Sequence, residues 1–401
     1  MSAAVGSISL PIFDYQPLTR VVAGPGTLAR LGELTWELGI RRVLLVTDPG
    51  LEEAGHPQRA ESILQAAGLT VVNFDGVQEN PTTRHVEAGL AVARAGKVDG
   101  IVAVGGGSSM DCAKGVNFLF TNGGTMRDYW GVGKASKPML PSVGVPTTTG
   151  TGSEAQSFAL ICDPETHLKM ACGDKKAAFK VAILDPELTL TQPERVAALT
   201  GLDALSHAVE TYVTIRRSAL SRVYAREAWR LLAAHFPRTL AEPDDLTSRA
   251  AMQWGAHLAG LAIENSMLGA THALANPLTA HYGMVHGQAI GLMLPHVVRF
   301  NAEVCAEDYA DLADLAGIAP ASASSPHPRA LALADRLVEF ARLAGLPTDL
   351  AECGVSTGML TVLADEAAEQ WTGKFNPRPV GFAELLGLYQ QAIGSPASVT
   401  S

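Results

Sequence analysis

The strongest constraint on the fold is an alternation of short apolar segments and helical segments in the first half of the sequence. Residues 43–47 (VLLVT), 70–74 and 101–104 are apolar or β-branched and predict buried strands. Helical patterns fill the intervals and end at glycines, after Ala67 and after Ala95. Strands that alternate with helices pair in parallel. We therefore predict a parallel, Rossmann-like α/β sheet with helices on both faces, and ligands beyond the carboxyl ends of its strands.

The composition changes after about residue 190. The segments that are rich in Ala, Leu, Glu and Arg and suit helices are residues 193–198, 201–214, 219–234, 246–263 and 330–343. We predict an α/β domain at residues 1–190 and an all-α domain at residues 191–401, with the boundary within residues 185–193. Residues 321–328 (ASASSPHP) predict a surface loop in the second domain.

Charge and cysteine usage argue against several classes of function. The chain has 40 acidic and 30 basic residues, and this net charge of -10 disfavours nucleic acid and anionic membrane surfaces as partners. The five cysteines form no C-x-x-C pair, which argues against disulfides and a cysteine zinc site. No stretch approaches the ~20 apolar residues of a membrane span, and residues 1–10 lack the basic start of a signal peptide. We expect a soluble, cytoplasmic protein.

A glycine-rich loop after the third predicted strand is the first candidate ligand site. Gly105, Gly106, Gly107 and Ser108 precede a predicted helix that contains Asp111. Missing side chains let backbone N–H groups approach a phosphate, and the helix N-terminus favours negative charge. The G-x-G-x-x-G spacing is absent, so a tight turn explains this segment equally well when it is considered alone.

Two further segments suit a nucleotide. Residues 146–154 (PTTTGTGSE) carry Thr147, Thr148 and Thr151 among glycines, and such small hydroxyls and open backbone favour hydrogen bonds to a diphosphate and a ribose. Asp48 follows the first strand, where an acid can bind a ribose 2′-OH and repel a 2′-phosphate. Considered alone, Asp48 is better explained as a turn cap before Pro49.

Histidines and one aspartate form a candidate metal site. Asp203 and His207 are four residues apart in GLDALSHAVE, hence on one helical face about 6 Å apart along the axis. Four of the 11 histidines fall within 25 residues: His272, His281, His286 and His296. Asp203 and His207 either pair with each other or share a metal with two of these four. One carboxylate and three imidazoles suit Fe(II) or Zn(II) better than Mg or Ca.

At these residues the chain resembles the iron-dependent, group III alcohol dehydrogenases, and the resemblance runs nearly from end to end. The matching segments are residues 41–48, Asn80-Pro81-Thr82, GGGSSMD at 105–111, PTTTGTGSE, Lys169 in a Thr-His-x-Lys position, Asp185-Pro186, GLDALSHAVE, THALANPLTAHYGMVHG and Asn376-Pro377-Arg378. Together these motifs are far more specific than any one of them.

The resemblance implies a dehydroquinate-synthase-like architecture, a homodimer and two cofactors. It implies Fe²⁺, with Zn²⁺ as the alternative, on Asp203, His207, His272 and His286. It implies NAD bound by Asp48, Asn80, Gly105, Gly106, Gly107, Ser108, Asp111, Thr147, Thr148, Thr151 and Lys169. We expect an NAD(H)-dependent alcohol dehydrogenase that interconverts a small alcohol and its aldehyde or ketone by hydride transfer, with the metal polarising the substrate oxygen.

One position departs from the family pattern. Members of the family commonly carry a histidine four residues after the third ligand, and this histidine is thought to help relay the alcohol proton. Here the position is Asn276. We hypothesise that His281 replaces it as the catalytic proton relay, with Pro277 re-aiming the side chain. The alternative is that His281 only caps a helix near Tyr282.

Several related functions remain as alternatives. A metal-independent reductase of the maleylacetate reductase type is disfavoured by four intact ligand positions, and a three-ligand, glycerol-dehydrogenase-like zinc enzyme by His207. A sugar-phosphate lyase of the dehydroquinate-synthase type would need a basic cluster that the sequence lacks beside the histidines. A nucleotide-binding module without catalysis is disfavoured by the metal site. Small substrates suit the Gly- and Ala-rich motifs, whereas Trp254, Met267 and Phe158 would suit longer alcohols.

Overall fold

The computed structural model describes residues 14–166, 168–318 and 325–394. The strands are β1 (Arg20–Ala23), β2 (Arg42–Val46), β3 (Thr70–Phe74), β4 (Gly100–Gly105), β5 (Gly131–Val132), β6 (Ser142–Pro146), β7 (Phe158–Cys162), β8 (Lys169–Gly173) and β9 (Val181–Leu184). The helices of the first half are α1 (Leu31–Glu37), α2 (His56–Ala66), α3 (Thr83–Gly96) and α4 (Gly107–Asn122).

Six of the strands form one parallel sheet in the order β1-β9-β6-β4-β2-β3. Alternate residues of β2 enter different cores, since side chains alternate across a strand. Leu44 and Val46 pack with α3 and α4, whereas Val43 and Leu45 pack with α1 and α2. The predicted parallel sheet with helices on both faces is confirmed.

A second, three-stranded sheet in the order β5-β8-β7 was not predicted from the sequence. Its strand β7 pairs antiparallel with β8, from Phe158 opposite Gly173 to Cys162 opposite Lys169. This pairing carries the chain from the threonine-rich loop back toward the large sheet, with Phe158 at one end of the hairpin and Lys169 at the other.

The second half of the chain is helical in the part that the structure describes. Its helices are α5 (Glu194–Val213), α6 (Ala219–Ala241), α7 (Leu246–Glu264), α8 (Ala270–Tyr282), α9 (His286–Leu315), α10 (Pro326–Leu343), α11 (Leu360–Glu369) and α12 (Phe382–Ala392). Two cores hold them together. One joins α5, α6, α7, α9 and α10, and the other joins α8, α9, α11 and α12.

The helix bounds correct three predictions. The predicted helices at 193–198 and 201–214 form the single helix α5, because Gly201 lies inside it against Phe236. Helix α10 begins at Pro326, so residues 326–328 of the predicted surface loop are helical. Residues 321–324 of that loop, like residues 1–10, lie outside the described residues.

The large sheet ends with β9 at Leu184 and the first long helix begins at Glu194. The division between residues 190 and 191 stays a prediction. Within the described ranges, no helix combines the length and hydropathy that a membrane crossing requires.

Candidate active site

A cavity of about 1140 Å³ lies between the large sheet and the helical half of the chain. Its walls contain most of the predicted site residues: Asp48, Asn80, Gly106, Gly107, Ser108, Asp111, Thr147, Thr148, Thr151, Lys169, Asp203, His207, His272 and His286. Two predicted residues, Gly105 and His281, are not among the lining residues. The α/β half supplies the glycine and threonine loops, and the helical half supplies the histidines.

Four potential metal ligands converge at the helical wall. The Asp203 Oδ1 atom lies 3.3 Å from His207 Nε2, 3.7 Å from His272 Nε2 and 3.6 Å from His286 Nε2. The Nε2 atoms of His207 and His272 are 3.2 Å apart. Ligand atoms bound tetrahedrally to one ion at ~2.1 Å would be separated by about 3.4 Å. The ligand atoms of Asp203, His207 and His272 lie within 4.8 Å of one another, and His286 approaches this group at Asp203. This donor set fits a transition-metal ion.

Buried polar atoms in this cluster lack hydrogen-bond partners among the residues that the structure describes. Asp203 Oδ1 is buried and makes no hydrogen bond among the described residues. A buried carboxylate oxygen without a hydrogen bond costs free energy unless a cation compensates it. The cluster therefore fits the ion that the sequence predicted for Asp203, His207, His272 and His286.

The charges of the cluster also suit a metal. Burial lowers the pKa of the His207 imidazole and lowers that of His286 to about 3, which favours the neutral forms that bind metals. Burial disfavours the charged carboxylate of Asp203, but the neighbouring imidazoles outweigh burial and hold its pKa well below the usual range. Asp203 thus supplies negative charge to a cation.

Glu210 is a functional residue that the sequence analysis missed. Its carboxylate accepts the backbone N–H of Thr271 at 2.7 Å and lies 2.5 Å from His272 Nδ1. Burial lowers the pKa of His272, yet Glu210 and Asp203 outweigh burial and raise it to about 9. The raised pKa favours the imidazolium, so a metal that binds at Nε2 would displace the proton there, while Glu210 holds the proton on Nδ1. Glu210 is seven residues after Asp203 on the same helical face, which is the signal that could have identified it.

The glycine and threonine loops meet at the opposite wall. A Cβ added at Gly107 would lie 2.6 Å from Thr151 Cγ2, so only glycine fits where α4 begins. Thr147 Oγ1 and Gln192 Oε1 face the same cavity, are buried, and make no hydrogen bond among the described residues. This wall combines closely packed backbone, a helix N-terminus and buried polar atoms without hydrogen-bond partners among the described residues. These features together fit a phosphate-containing cofactor.

Asp48 lies at one end of this wall. Its Oδ2 atom accepts a hydrogen bond of 3.0 Å from Ser109 Oγ. Burial raises the pKa of the Asp48 carboxyl, and the Ser109 hydrogen bond opposes that rise. Gly105 lies behind this contact, where an added Cβ would be 2.4 Å from Ser109 Oγ. Gly105 thus leaves room for the Ser109 side chain, and its role in cofactor binding stays a prediction.

A buried lysine connects the two loops. The Nζ atom of Lys114 donates to Ser153 Oγ, Ser153 O and Phe158 O at 2.7–2.8 Å. Asp111 accepts from Ser153 Oγ at 2.6 Å and lies 3.8 Å from the ammonium. The predicted cofactor residue Asp111 therefore also balances the Lys114 charge and fixes the threonine loop.

Comparison with known proteins identifies the family. Residues 18–186 match the family model described as iron-containing alcohol dehydrogenase, and residues 197–393 match the C-terminal model of the Fe-containing alcohol dehydrogenase family. The chain belongs to the iron-containing alcohol dehydrogenase family. It is an alcohol oxidoreductase, and the resemblance noted from the motifs is confirmed.

Individual relatives show the range of the family. The chain is 33% identical to the NAD-dependent methanol dehydrogenase of Bacillus methanolicus over 93% of this chain and 97% of the relative. A 1,3-propanediol oxidoreductase structure is similar with a TM-score of 0.92 and 34% identity, over 96% of this chain and 100% of that one. Sulfoacetaldehyde reductase from Bifidobacterium kashiwanohense, in complex with NAD⁺, has a TM-score of 0.86 and 26% identity over 96% and 100%.

His281 does not reach the cavity of this alcohol oxidoreductase. Its Nε2 atom lies 2.8 Å from Glu366 of α11, and its side chain is 31% exposed. Helix α8 continues through Pro277 to Tyr282, so the proline does not re-aim the side chain. The relay role of His281 stays a prediction, although its side chain is bonded to Glu366 and lies about 140° around the helix from Asn276.

Asn276 contributes to the fold beside the site. Its side-chain amide donates to Gln370 Oε1 at 2.9 Å, at the start of the segment that contains Trp371. Trp371 stacks on Phe158 with ring centroids 6.1 Å apart. Of the three apolar pocket candidates, only Phe158 lines the cavity, whereas Trp254 is 38% exposed and stacks on His257.

The threonine loop is docked on the helical half through α7. Gly152 and Gly260 approach so closely that a Cβ on Gly260 would lie 2.5 Å from Gly152 O. Buried Glu154 Oε1 lies 3.0 Å from His257 Nδ1, and Glu264 accepts from Ser157 N and Oγ at 2.8 and 2.7 Å. These contacts place the loop that lines the cavity at a fixed distance from α7.

Proposed function

We propose that the protein is an NAD(H)-dependent, metal-containing alcohol dehydrogenase that interconverts a small alcohol and its aldehyde or ketone by hydride transfer. The observation that carries this proposal is the convergence of three imidazoles and one carboxylate on the wall of a cavity whose opposite wall is made of glycine and threonine loops. The proposal agrees with the printed names of the methanol dehydrogenase and the NAD⁺-complexed relative.

Asp203, His207, His272 and His286 would hold the metal, Fe²⁺ by family and Zn²⁺ as the alternative. When bound, the metal supplies Lewis acidity to a substrate oxygen and NAD supplies the hydride acceptor. Glu210 keeps His272 in the tautomer that has a free Nε2 lone pair. The three histidines and Asp203 lie on the cavity wall, so a substrate in the cavity could reach a metal held by them.

The glycine and threonine loops would hold the nucleotide by backbone N–H groups and small hydroxyls. Asp48 would bind the ribose and repel a 2′-phosphate, and Lys169 and Asn80 would add contacts from the same wall. Lys114 and Asp111 keep the threonine loop beside the glycine loop.

The proton of the alcohol would leave through water. The His286 side chain is 25% exposed, so solvent reaches the histidine wall. Neither Asn276 nor His281 faces the cavity with a titratable group. The chain thus lacks the protein relay expected of relatives that carry a histidine at the position of Asn276.

The residues that line the cavity favour an alcohol dehydrogenase over the alternative functions. A sugar-phosphate lyase needs several cations for phosphate and carboxylate groups, whereas Lys169 and Arg195 are the lysine and arginine side chains among the described lining residues. A metal-independent reductase has no need for the convergence of Asp203 with three histidines. Apolar Phe158, Ile263, Leu268 and Val285 line the cavity and suit small, uncharged alcohols. The homodimer and the cytoplasmic location remain predictions.

The test is a substrate panel with protein reconstituted separately with Fe²⁺, without oxygen, and with Zn²⁺. We expect NAD⁺-dependent oxidation of small primary alcohols, NADH-dependent reduction of the matching aldehydes, and no activity in the apo protein. Elemental analysis of protein purified without oxygen identifies the native metal. Equal aldehyde reduction by apo and reconstituted protein would favour the metal-independent alternative.

A further inference from the structure

The segment Phe375–Arg378 contacts two helices that carry candidate metal ligands and the residues that directly follow the third. These helices are α5, with Asp203 and His207, α8, with His272, and α9, which begins at His286. The segment contains the Asn376-Pro377-Arg378 motif, to which the proposed function assigns no role.

Asn376 binds the start of α8. Its Oδ1 atom accepts the backbone N–H of Ala270 at 3.3 Å, two residues before His272. The first N–H groups of a helix have no partner within the helix, and here Asn376 and Glu210 supply partners for Ala270 and Thr271. A Cβ on Gly269 would lie 3.0 Å from Glu210 Oε1 and 3.1 Å from Asn376 Oδ1, so both acceptors close in on the same turn.

The same segment is tied to α9 and to the end of α5. The Asn376 and Asn301 side-chain amides donate to each other at 2.7 and 3.0 Å, and both residues are buried, 4% and 1% exposed. Arg378 donates to Phe300 O at 2.8 Å and lies over the Phe300 ring. Phe375 O accepts from Thr214 Oγ1 and Ile215 N, each at 3.0 Å, directly after α5.

We infer that Asn376 is a positioning residue for the metal site: it fixes the start of α8 relative to α5 and α9, and so sets the affinity for the metal. This inference rests on the proposed function, because it takes the histidine cluster to bind a metal. Partners behind the ligands commonly change metal affinity 10- to 100-fold. Removal of the Asn376 amide frees the Ala270 N–H and takes the donor from Asn301 Oδ1, so the turn that carries His272 loses its fixed position.

The experiment measures Zn²⁺ affinity of the apo protein by competition with a chelating dye. The variants are Asn376→Ala and, as the matched control, Asn117→Ala. Asn117 is also buried, 2% exposed, and its amide makes two hydrogen bonds with the backbone of Leu140 in the α/β half. Thermal unfolding without metal reports the stability of each variant.

We expect both variants to lose stability, Asn376→Ala to bind Zn²⁺ about tenfold or more weakly, and Asn117→Ala to bind as the wild type does. A folded Asn376→Ala variant with wild-type affinity would overturn the inference. If this variant does not fold, Asn301→Ala decides, because it removes the partner of the Asn376 amide on α9. A weaker affinity then supports the inference, and an unchanged affinity overturns it. Wild-type protein that binds no Zn²⁺ or Fe²⁺ at these residues would instead overturn the proposed function.

Discussion

We expect the Asp48 carboxylate to set the preference for NAD over NADP. Asp48→Gly removes a charge from the nucleotide wall, and NADP use relative to NAD should rise about tenfold if ~1.4 kcal/mol of repulsion is lost. Ser109→Ala is the matched control, because it removes the hydrogen bond to Asp48 and keeps the charge. Ratios of kcat/KM for NAD⁺ and NADP⁺ give the result. A loss of stability with an unchanged ratio would assign Asp48 the role of a turn cap.

His281 should be dispensable for catalysis. His281→Gln removes an imidazole that is bonded to Glu366 outside the cavity, so kcat and the pH–rate profile should remain those of the wild type. Asn276→His is the informative comparison, because it restores the histidine common in the family. A fall in kcat for His281→Gln, with the metal retained, would reinstate the relay.

At the residue scale the local sequence brings two candidate ligands together, but it does not determine which way His281 faces. Asp203 and His207 lie one helical turn apart within α5, and local spacing alone brings them together. Whether His281 faces the cavity depends on how α8 packs against α11, which no local pattern encodes. Glu210 was missed because its partners, Thr271 and His272, are distant in sequence.

Substitution of Gly260, inside α7, tests whether the threonine loop depends on its close contact with this helix. An alanine at position 260 would place its Cβ 2.5 Å from Gly152 O, so Gly260→Ala should destabilise the fold by about 1–3 kcal/mol through overpacking. Because the displaced loop lines the cavity, the affinity of the variant for NAD⁺ should fall as well. Denaturant unfolding and NAD⁺ titration measure both effects.

Gly387→Ala is the control for helix propensity. Gly387 lies inside α12, and a Cβ there meets nothing within 4 Å. This variant should gain about 0.5–1 kcal/mol of stability and keep its NAD⁺ affinity. If Gly260→Ala behaved like Gly387→Ala, the close contact between the loop and α7 would contribute neither to stability nor to NAD⁺ binding.

At the element scale, three of the six strands of the large sheet followed from the sequence, because residues 43–47, 70–74 and 101–104 are rich in apolar and β-branched residues, whereas β1, β6 and β9 were not predicted. Residues 43–47 were predicted and β2 spans Arg42–Val46. The small sheet could not be predicted, since β5 has two residues, Gly131 and Val132, and is fixed by pairing with β8. Likewise, Gly201 suggested a break within α5 that packing against Phe236 removes.

The whole molecule presents two binding walls that belong to different parts of the chain. The glycine and threonine loops come from the α/β half, and the histidine cluster comes from the helical half. The close contact of Gly152 with Gly260, which holds the walls together, involves no candidate metal ligand. Among the ligands, His207 lies beside the Gly150 backbone of the threonine loop. We still expect binding at one wall to survive damage to the other.

Ligand-induced stabilisation tests this separation. A ligand that binds only the native state stabilises it by about 2.7 kcal/mol at a concentration of 100 Kd, so Zn²⁺ and NAD⁺ should each raise the unfolding temperature of the apo protein. His272→Ala should abolish the rise with Zn²⁺ and keep the rise with NAD⁺.

Gly107→Ala should do the reverse, because its Cβ would lie 2.6 Å from Thr151 Cγ2 and block the nucleotide wall while the histidine cluster stays intact. Thermal scans of the two variants, each with either ligand, give four comparisons. Loss of both temperature rises in one variant would mean that its substitution disturbs the cavity as a whole. Retention of the Zn²⁺ rise in His272→Ala would mean that Zn²⁺ stabilises the protein at a site other than this cluster.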